Sequence, residues 1–254
     1  MNTAVLTLRQ FSYENKAFWR NPAAAFFTFV FPLMFLVIFN GLFAGTVTTY
    51  GPETSTTTFY VPAIAVFAII SATFTNLGMS ITIARDEGVL KRFRGTPLPP
   101  PVYFVSKILQ AMFVTFILVA LVVLAGAAFY DVELPKETMP AFVLIVLIGG
   151  ASFCSLGLAL SSVIPNSDAA PAVINGVIMP LLFISGVFIP LDQAPAWLEN
   201  IAQLFPVYHF AQATLGAFHP FDPTMETGHL LLVAAWGIAG LLFALRFFSW
   251  EPRR

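Results

Sequence analysis

Apolar residues run along this chain in six long stretches separated by short polar breaks, and the pattern predicts six membrane-crossing helices. A hydrocarbon layer about 30 Å thick takes about 20 apolar residues at about 1.5 Å each. The stretches 23–44, 59–83, 103–130, 141–164, 171–189 and 230–248 have that length and character. The fourth and fifth are divided by Pro165, Asn166, Ser167 and Asp168, a turn signal with a charge, so these two helices are expected to be antiparallel neighbours. The fold class read from this is an all-α polytopic membrane protein, with 1–254 as one transmembrane domain.

Composition agrees with the pattern. Of 254 residues, 58% are hydrophobic and 10% charged, against about 25% charged in an ordinary soluble domain. The few cations are placed unevenly. Arg9, Lys16, Arg20, Arg85, Lys91, Arg92, Arg94, Lys107, Arg246, Arg253 and Arg254 fall on one side of the predicted spans, and Lys136 alone falls on the other. Basic loops stay in the cytoplasm, so both termini are expected there, in a multi-pass protein of the cell membrane. Glu53, Asp131, Glu133, Glu137, Asp192, Glu199, Asp222 and Glu226 gather on the outer side, which is why the net charge of −1 hides the asymmetry. The single cysteine, Cys154, lies inside the fourth span and excludes a disulfide framework.

Three further segments are periodic but are not long uncharged apolar runs. In 1–22, Ala4, Leu8, Phe11 and Phe18 recur near the helical period, with Arg9, Gln10, Glu14, Lys16 and Arg20 largely on other faces. A helix lying in the cytoplasmic interface is expected, since scattered charges set it apart from a secretory signal. Trp19 and Arg20 would anchor the first span, and Pro22 suits its first turn. In 191–228, Trp197, Leu198, Ile201, Leu204 and Phe205 share a face opposite Glu199, Asn200 and Gln203, and Pro206 opens a second short helix with Val207, Phe210 and Leu215. The expectation is an outer re-entrant pair between spans five and six. Periodicity equally allows an interfacial cap with no gating role.

The third short segment, 84–101, is the cytoplasmic loop between spans two and three. Asp86 and Glu87 are expected in the first turn of a short helix and Lys91, Arg92 and Arg94 in its last, matching the helix dipole. Glu87 and Lys91 form a favourable i,i+4 pair, Gly95 fits a C-terminal cap and Pro97 stops continuation. Val89, Leu90 and Phe93 make a small apolar face. A loop dipping into headgroups and a protein-docking helix explain these features equally well.

The run Arg85, Asp86, Glu87, Gly88, Val89, Leu90, Lys91, Arg92, Phe93, Arg94, Gly95, Thr96, Pro97 and Leu98, placed between a second and a third span, resembles the corresponding segment of ABC-2 permeases. These are membrane subunits of ATP-binding-cassette exporters, and the drug-resistance type is the most similar. The resemblance covers nearly the whole chain. It implies that Arg85 to Phe93 form a coupling helix seated on an ABC ATPase subunit, with Asp86 departing from the more usual Glu. It implies two ATPase subunits per complex and a second permease copy or homologue. The segment from Gly186 to Leu191, with the outer pair, resembles the family's re-entrant helices. Trp197, Leu198, Ile201, Phe205 and Phe210 would then form an outer gate.

The sequence has no G-x-x-x-x-G-K-[ST] phosphate loop. No cofactor is therefore expected on this chain, with ATP and Mg held by the partner subunit. The interiors of the predicted spans hold no Asp, Glu, Lys, Arg or His, which disfavours an ion-coupled carrier. Phe27, Phe31, Phe35, Phe39 and Phe43 form a stripe on the first span, for which packing is the simpler account. Thr73 and Asn76 on the second span and Asn175 on the fifth complete the candidate substrate path with Phe31, Phe35 and Phe39. Such a path suits hydrophobic or amphipathic drugs, lipids or metabolites; a polysaccharide or lipid-linked glycan is the alternative cargo. A membrane enzyme without an ATPase partner is the rival class, yet His209, His219 and His229 form no H-x-x-H or H-E-x-x-H pattern and read as surface histidines. Nothing points to nucleic acid, a metal or a catalytic residue.

Overall fold

The structure, a computed structural model, describes residues 2–43, 56–189, 191, 194–219 and 221–251. Ala44, Glu53, Pro190, Asp192, Arg253 and Arg254, named above, lie outside the described residues. Among those described there is no strand, and the chain is an all-helical, polytopic membrane protein.

In chain order the helices are α1 (Thr3–Trp19), α2 (Pro22–Leu42), α3 (Thr56–Ile70), α4 (Asn76–Asp86), α5 (Val89–Arg94) and α6 (Pro100–Tyr130). They continue with α7 (Met139–Ser161), α8 (Ala170–Ile184), α9 (Ala196–Ala202), α10 (Pro206–Ala217) and α11 (Thr227–Phe247). A π-helical turn, Ser71–Thr75, joins α3 to α4 without interruption. Five helices are long and apolar enough to cross a membrane: α2, the continuous Thr57–Asp86, α6, α7 and α11. The predicted fifth span differs. α8 has 15 residues and ends at Ile184, because Gly186 takes a left-handed conformation (φ 80°) that turns the chain before Ile189.

Thr57–Asp86 is the axis of the fold. Every residue from Phe59 to Ile70 is buried, so the near-continuous apolar run reflects a helix surrounded by protein. α2 is the opposite case, burying only the stripe Ala25, Pro32, Leu36 and Asn40. Asn21 starts it, its side chain accepting from the Ala24 N–H at 3.2 Å, with Pro22 in the first turn. Small residues set the closest contacts. A methyl group at Gly157 would lie 2.7 Å from the Phe74 carbonyl oxygen, and one at Gly237 would collide with Ser152 Oγ. Glycine at these crossings lets α7 approach the π turn on one side and α11 on the other, as helices pack in lipid.

α1 packs along α6 rather than standing apart. Glu14 pairs with Lys107 at 2.7 Å, the Phe11 and Phe113 rings meet edge to face, and Ser106 Oγ donates to the Thr7 carbonyl at 3.1 Å. Leu8, expected on the apolar face, is 63% exposed. Trp19 stacks on Phe29 of α2 at 5.6 Å, which fixes the corner between α1 and the first long helix.

Candidate functional site

The segment Arg85 to Phe93 folds as a corner, not as one helix. Asp86 is the last residue of α4 and Glu87 its C-terminal cap; Gly88 turns the chain at φ 71°, and only then does the six-residue α5 begin. The expected placement of Asp86 and Glu87 in the first turn of the short helix is thus corrected, and Glu87 and Lys91 share no helix. The glycine decides this, since it supplies a left-handed residue that ends α4. Gly95 caps the C-terminus of α5 as expected, in a right-handed conformation (φ −81°), its N–H donating to the Arg92 carbonyl at 3.1 Å.

Burial divides the corner into two faces. Leu90 is fully buried in a cluster with Leu77, Ile81 and Tyr103, and the Phe93 ring lies 4.9 Å from that of Tyr103. The small apolar face is therefore occupied by the chain's own α4 and α6. Glu87, Lys91, Arg92 and Arg94 are exposed, and Val89 is half-buried.

Arg85 and Asp86 point the other way, to the reversal between α7 and α8. Arg85, fully buried, donates from Nη1 to the Ser161 carbonyl at 2.8 Å and from Nη2 to the Ile164 carbonyl. A cation placed on the last carbonyls of α7 also complements its dipole. Asp86 accepts from the Ser167 N–H at 2.9 Å and from Ser167 Oγ at 2.6 Å. Asn166 closes the same turn by accepting from the Ala169 N–H at 2.9 Å. The shorter carboxylate at position 86 thus has a definite intramolecular contact, and the turn is strapped to α4. Sequence reasoning identified that turn but missed its partner, which lies about 80 residues away in the chain.

The candidate path residues separate. A groove of about 370 Å³ between α2, the π turn and α8 is lined by Phe31, Asn76 and Asn175, with Phe27, Ser71 and Thr75. Phe35 and Phe39 belong instead to an aromatic cluster: Phe39 stacks on Phe188 at 5.7 Å, on Tyr60 at 5.2 Å and on Phe43 at 5.8 Å. Thr73 is buried, its hydroxyl donating to the Ile69 carbonyl at 2.6 Å, the usual back-bond of a threonine in an apolar helix.

The five outer residues separate as well. Trp197 and Ile201 on α9 are 63% and 41% exposed, Leu198 and Phe205 half-buried, and Phe210 fully buried. Phe210 occupies the space left by Gly149, and its ring lies 5.3 Å from that of Phe153. α10 therefore leans on the middle of α7, while its last carbonyl, at Ala217, accepts from Thr138 Oγ at 2.6 Å.

Two histidines expected at the surface meet. His209 Nδ1 lies 2.8 Å from His229 Nδ1, and His209 Nε2 lies 2.8 Å from the Gln203 carbonyl. The carbonyl accepts only, so Nε2 of His209 carries a proton; in the neutral pair His229 Nδ1–H then donates to His209 Nδ1. The contact ties α10 to the start of α11. No motif could reveal it, because the residues are 20 apart and on different helices.

Comparison with known proteins places these features in a family. The family model for the ABC-2 type transporter matches residues 3–219. Among similar proteins, ycf38 of Porphyra purpurea is 32% identical over 193 residues, covering 74% of this chain and 65% of that one. YvfS of Bacillus subtilis (strain 168) is 24% identical over 233 residues, covering 91% and 92%; both are provisionally called transport permeases. The daunorubicin resistance ABC transporter permease protein DrrB1 of Streptomyces coeruleorubidus is 27% identical over 216 residues, covering 83% of this chain and 72% of its own length. The match runs through α1, the Arg85–Phe93 corner and α10, and the chain belongs to the ABC-2 type transporter family.

Proposed function

We propose that this chain is the membrane-spanning permease subunit of an ATP-driven exporter of hydrophobic or amphipathic molecules. It works with two copies of a separate ATPase subunit, which hold ATP and Mg, and with a second permease copy or homologue. Six crossings place both termini in the cytoplasm. α8 alone is about 22 Å long at about 1.5 Å per residue, and the buried run Ser185 to Phe188 extends it toward the outer surface. α9 and α10 form the outer re-entrant pair, supported by the seat of Phe210 against Gly149.

One observation carries this reading. Glu87, Lys91, Arg92 and Arg94 form an exposed charged face on a corner whose other face is buried in α4 and α6. A partner pressing on α5 moves α4 directly, and through Arg85 and Asp86 it moves the α7–α8 turn. The docking contact is therefore electrostatic, made by those four side chains, while Leu90, Arg85 and Asp86 transmit from behind. Export of drug-like molecules is supported by the relative named for daunorubicin resistance and by the groove lined by Phe27 and Phe31.

Purification of the tagged chain from its native membrane tests this. It should retain an ATPase with a phosphate loop, and the triple change Lys91→Glu, Arg92→Glu and Arg94→Glu should reduce retention about tenfold, as loss of several charge contacts requires, without altering thermal unfolding. Retention that is absent, or indifferent to the charge reversal, overturns the reading.

A further inference from the structure

A second cavity, of about 440 Å³, lies beneath α1 and is walled by α2, α4 and α6. Among its described lining residues Glu14 and Lys107 are the only charged ones. Their side chains are 11% and 16% exposed and pair at 2.7 Å. Lys107 Nζ also donates to Ser80 Oγ at 3.1 Å, and Gln10 Nε2 donates to Glu14 Oε1 at 2.8 Å. An ammonium has three N–H groups and each carboxylate oxygen two lone pairs. The pair thus keeps one donor and spare acceptor capacity for a ligand.

The cavity changes character along its length. Asn21, Ser80 and Gln110 stand with the ion pair, whereas Ala24, Thr28 and Asn76 are shared with the groove where Phe27 and Phe31 are exposed. A space that is charged beside an interfacial helix and leads past Thr28 and Asn76 to exposed aromatic rings has the profile of an amphiphile. Charge narrows the choice. The pair is neutral, so a head carrying a net charge would leave that charge uncompensated in a largely desolvated site, while a zwitterion brings both signs.

We propose that this cavity binds a zwitterionic amphiphile with a phosphodiester and a primary ammonium in its head. The phosphate lies on Lys107, the ammonium on Glu14, and the hydrocarbon chains run along the groove with Phe27 and Phe31. The proposal rests on the permease reading for the place of α1 at the membrane interface, and it deepens that reading by naming a head group.

The test is retention of lipid by the purified full-length chain in detergent, counted by native mass spectrometry. The probes are phosphatidylethanolamine, phosphatidylcholine and phosphatidylglycerol with identical chains, and the soluble head glycerophosphoethanolamine. One phosphatidylethanolamine per chain should be retained at about tenfold lower concentration than phosphatidylglycerol. Phosphatidylcholine should be weaker than phosphatidylethanolamine, because its quaternary ammonium has no N–H to donate. Glu14→Gln, which leaves Lys107 to attract an anionic head, should abolish the preference. So should Ala17→Phe, which fills the cavity from its exposed rim and leaves the ion pair in place, with thermal unfolding unchanged. Equal retention of the ethanolamine and glycerol lipids, or a preference surviving in a folded Ala17→Phe variant, overturns the proposal. Binding of the soluble head as tightly as the intact lipid overturns it too, since the chains would then contribute nothing. Neither ATPase nor transport enters the readout, so its failure is distinct from failure of the permease reading.

Discussion

Arg85 shows how a single cation can be structural in a place where charge otherwise suggests a docking surface. It is fully buried, and its guanidinium serves the carbonyls of Ser161 and Ile164 at the end of another helix. Hydrogen bonds to charged groups contribute about 1.5–3 kcal/mol each. Arg85→Met should accordingly lower stability by about 3 kcal/mol or more, seen as a fall in thermal unfolding temperature in detergent. Asp86→Asn keeps one acceptor for Ser167 and should cost less than Arg85→Met. Gly157→Ala belongs to the same scale with a different cause. Its methyl group would meet the Phe74 carbonyl at 2.7 Å, backbone against backbone, and overpacking of this kind costs about 1–3 kcal/mol. The check is the same unfolding measurement, in which Gly41→Ala, with open space around it, should be nearly silent.

At the scale of elements, legibility followed whether a pattern is local. The long helices could be read from apolar runs, and α1 and α10 from helical periodicity. The corner at Gly88 could not. Asp86, Glu87, Lys91 and Arg94 satisfy the grammar of one short helix; the left-handed Gly88 ends α4 at the acids, and the contact of Asp86 with Ser167 holds that end in place. The aromatic stripe of α2 was visible, yet its division was hidden, because Phe39 turns inward to Phe188 and Tyr60 while Phe27 stays 64% exposed. The histidine contact was invisible for the same reason. It also predicts an effect: His229→Ala removes the partner of His209 and should loosen α10 from α11, raising hydrogen exchange in α10 about tenfold while leaving α7 unchanged.

For the whole molecule, the uneven distribution of charge makes a prediction about sides. Cys154 is fully buried and should not react with a membrane-impermeant maleimide in intact cells. A cysteine placed by Lys136→Cys should react from outside, and one placed by Arg92→Cys only after the membrane is opened, since both native side chains are exposed. Reaction of the Arg92→Cys variant from outside would overturn the proposed orientation. The π turn at Ser71–Thr75 has a consequence for how such a molecule tolerates genetic change. A π turn closes one turn with one residue more than an α turn, so the extra residue is absorbed without rotating the helix that follows. Deleting a single residue there would convert it to an α turn and leave Arg85 and Asp86 facing the α7–α8 turn, whereas a deletion in the regular helix between Asn76 and Arg85 would rotate them by about 100°. The π turn is thus the place where the central helix can shed a residue and keep its two halves in phase.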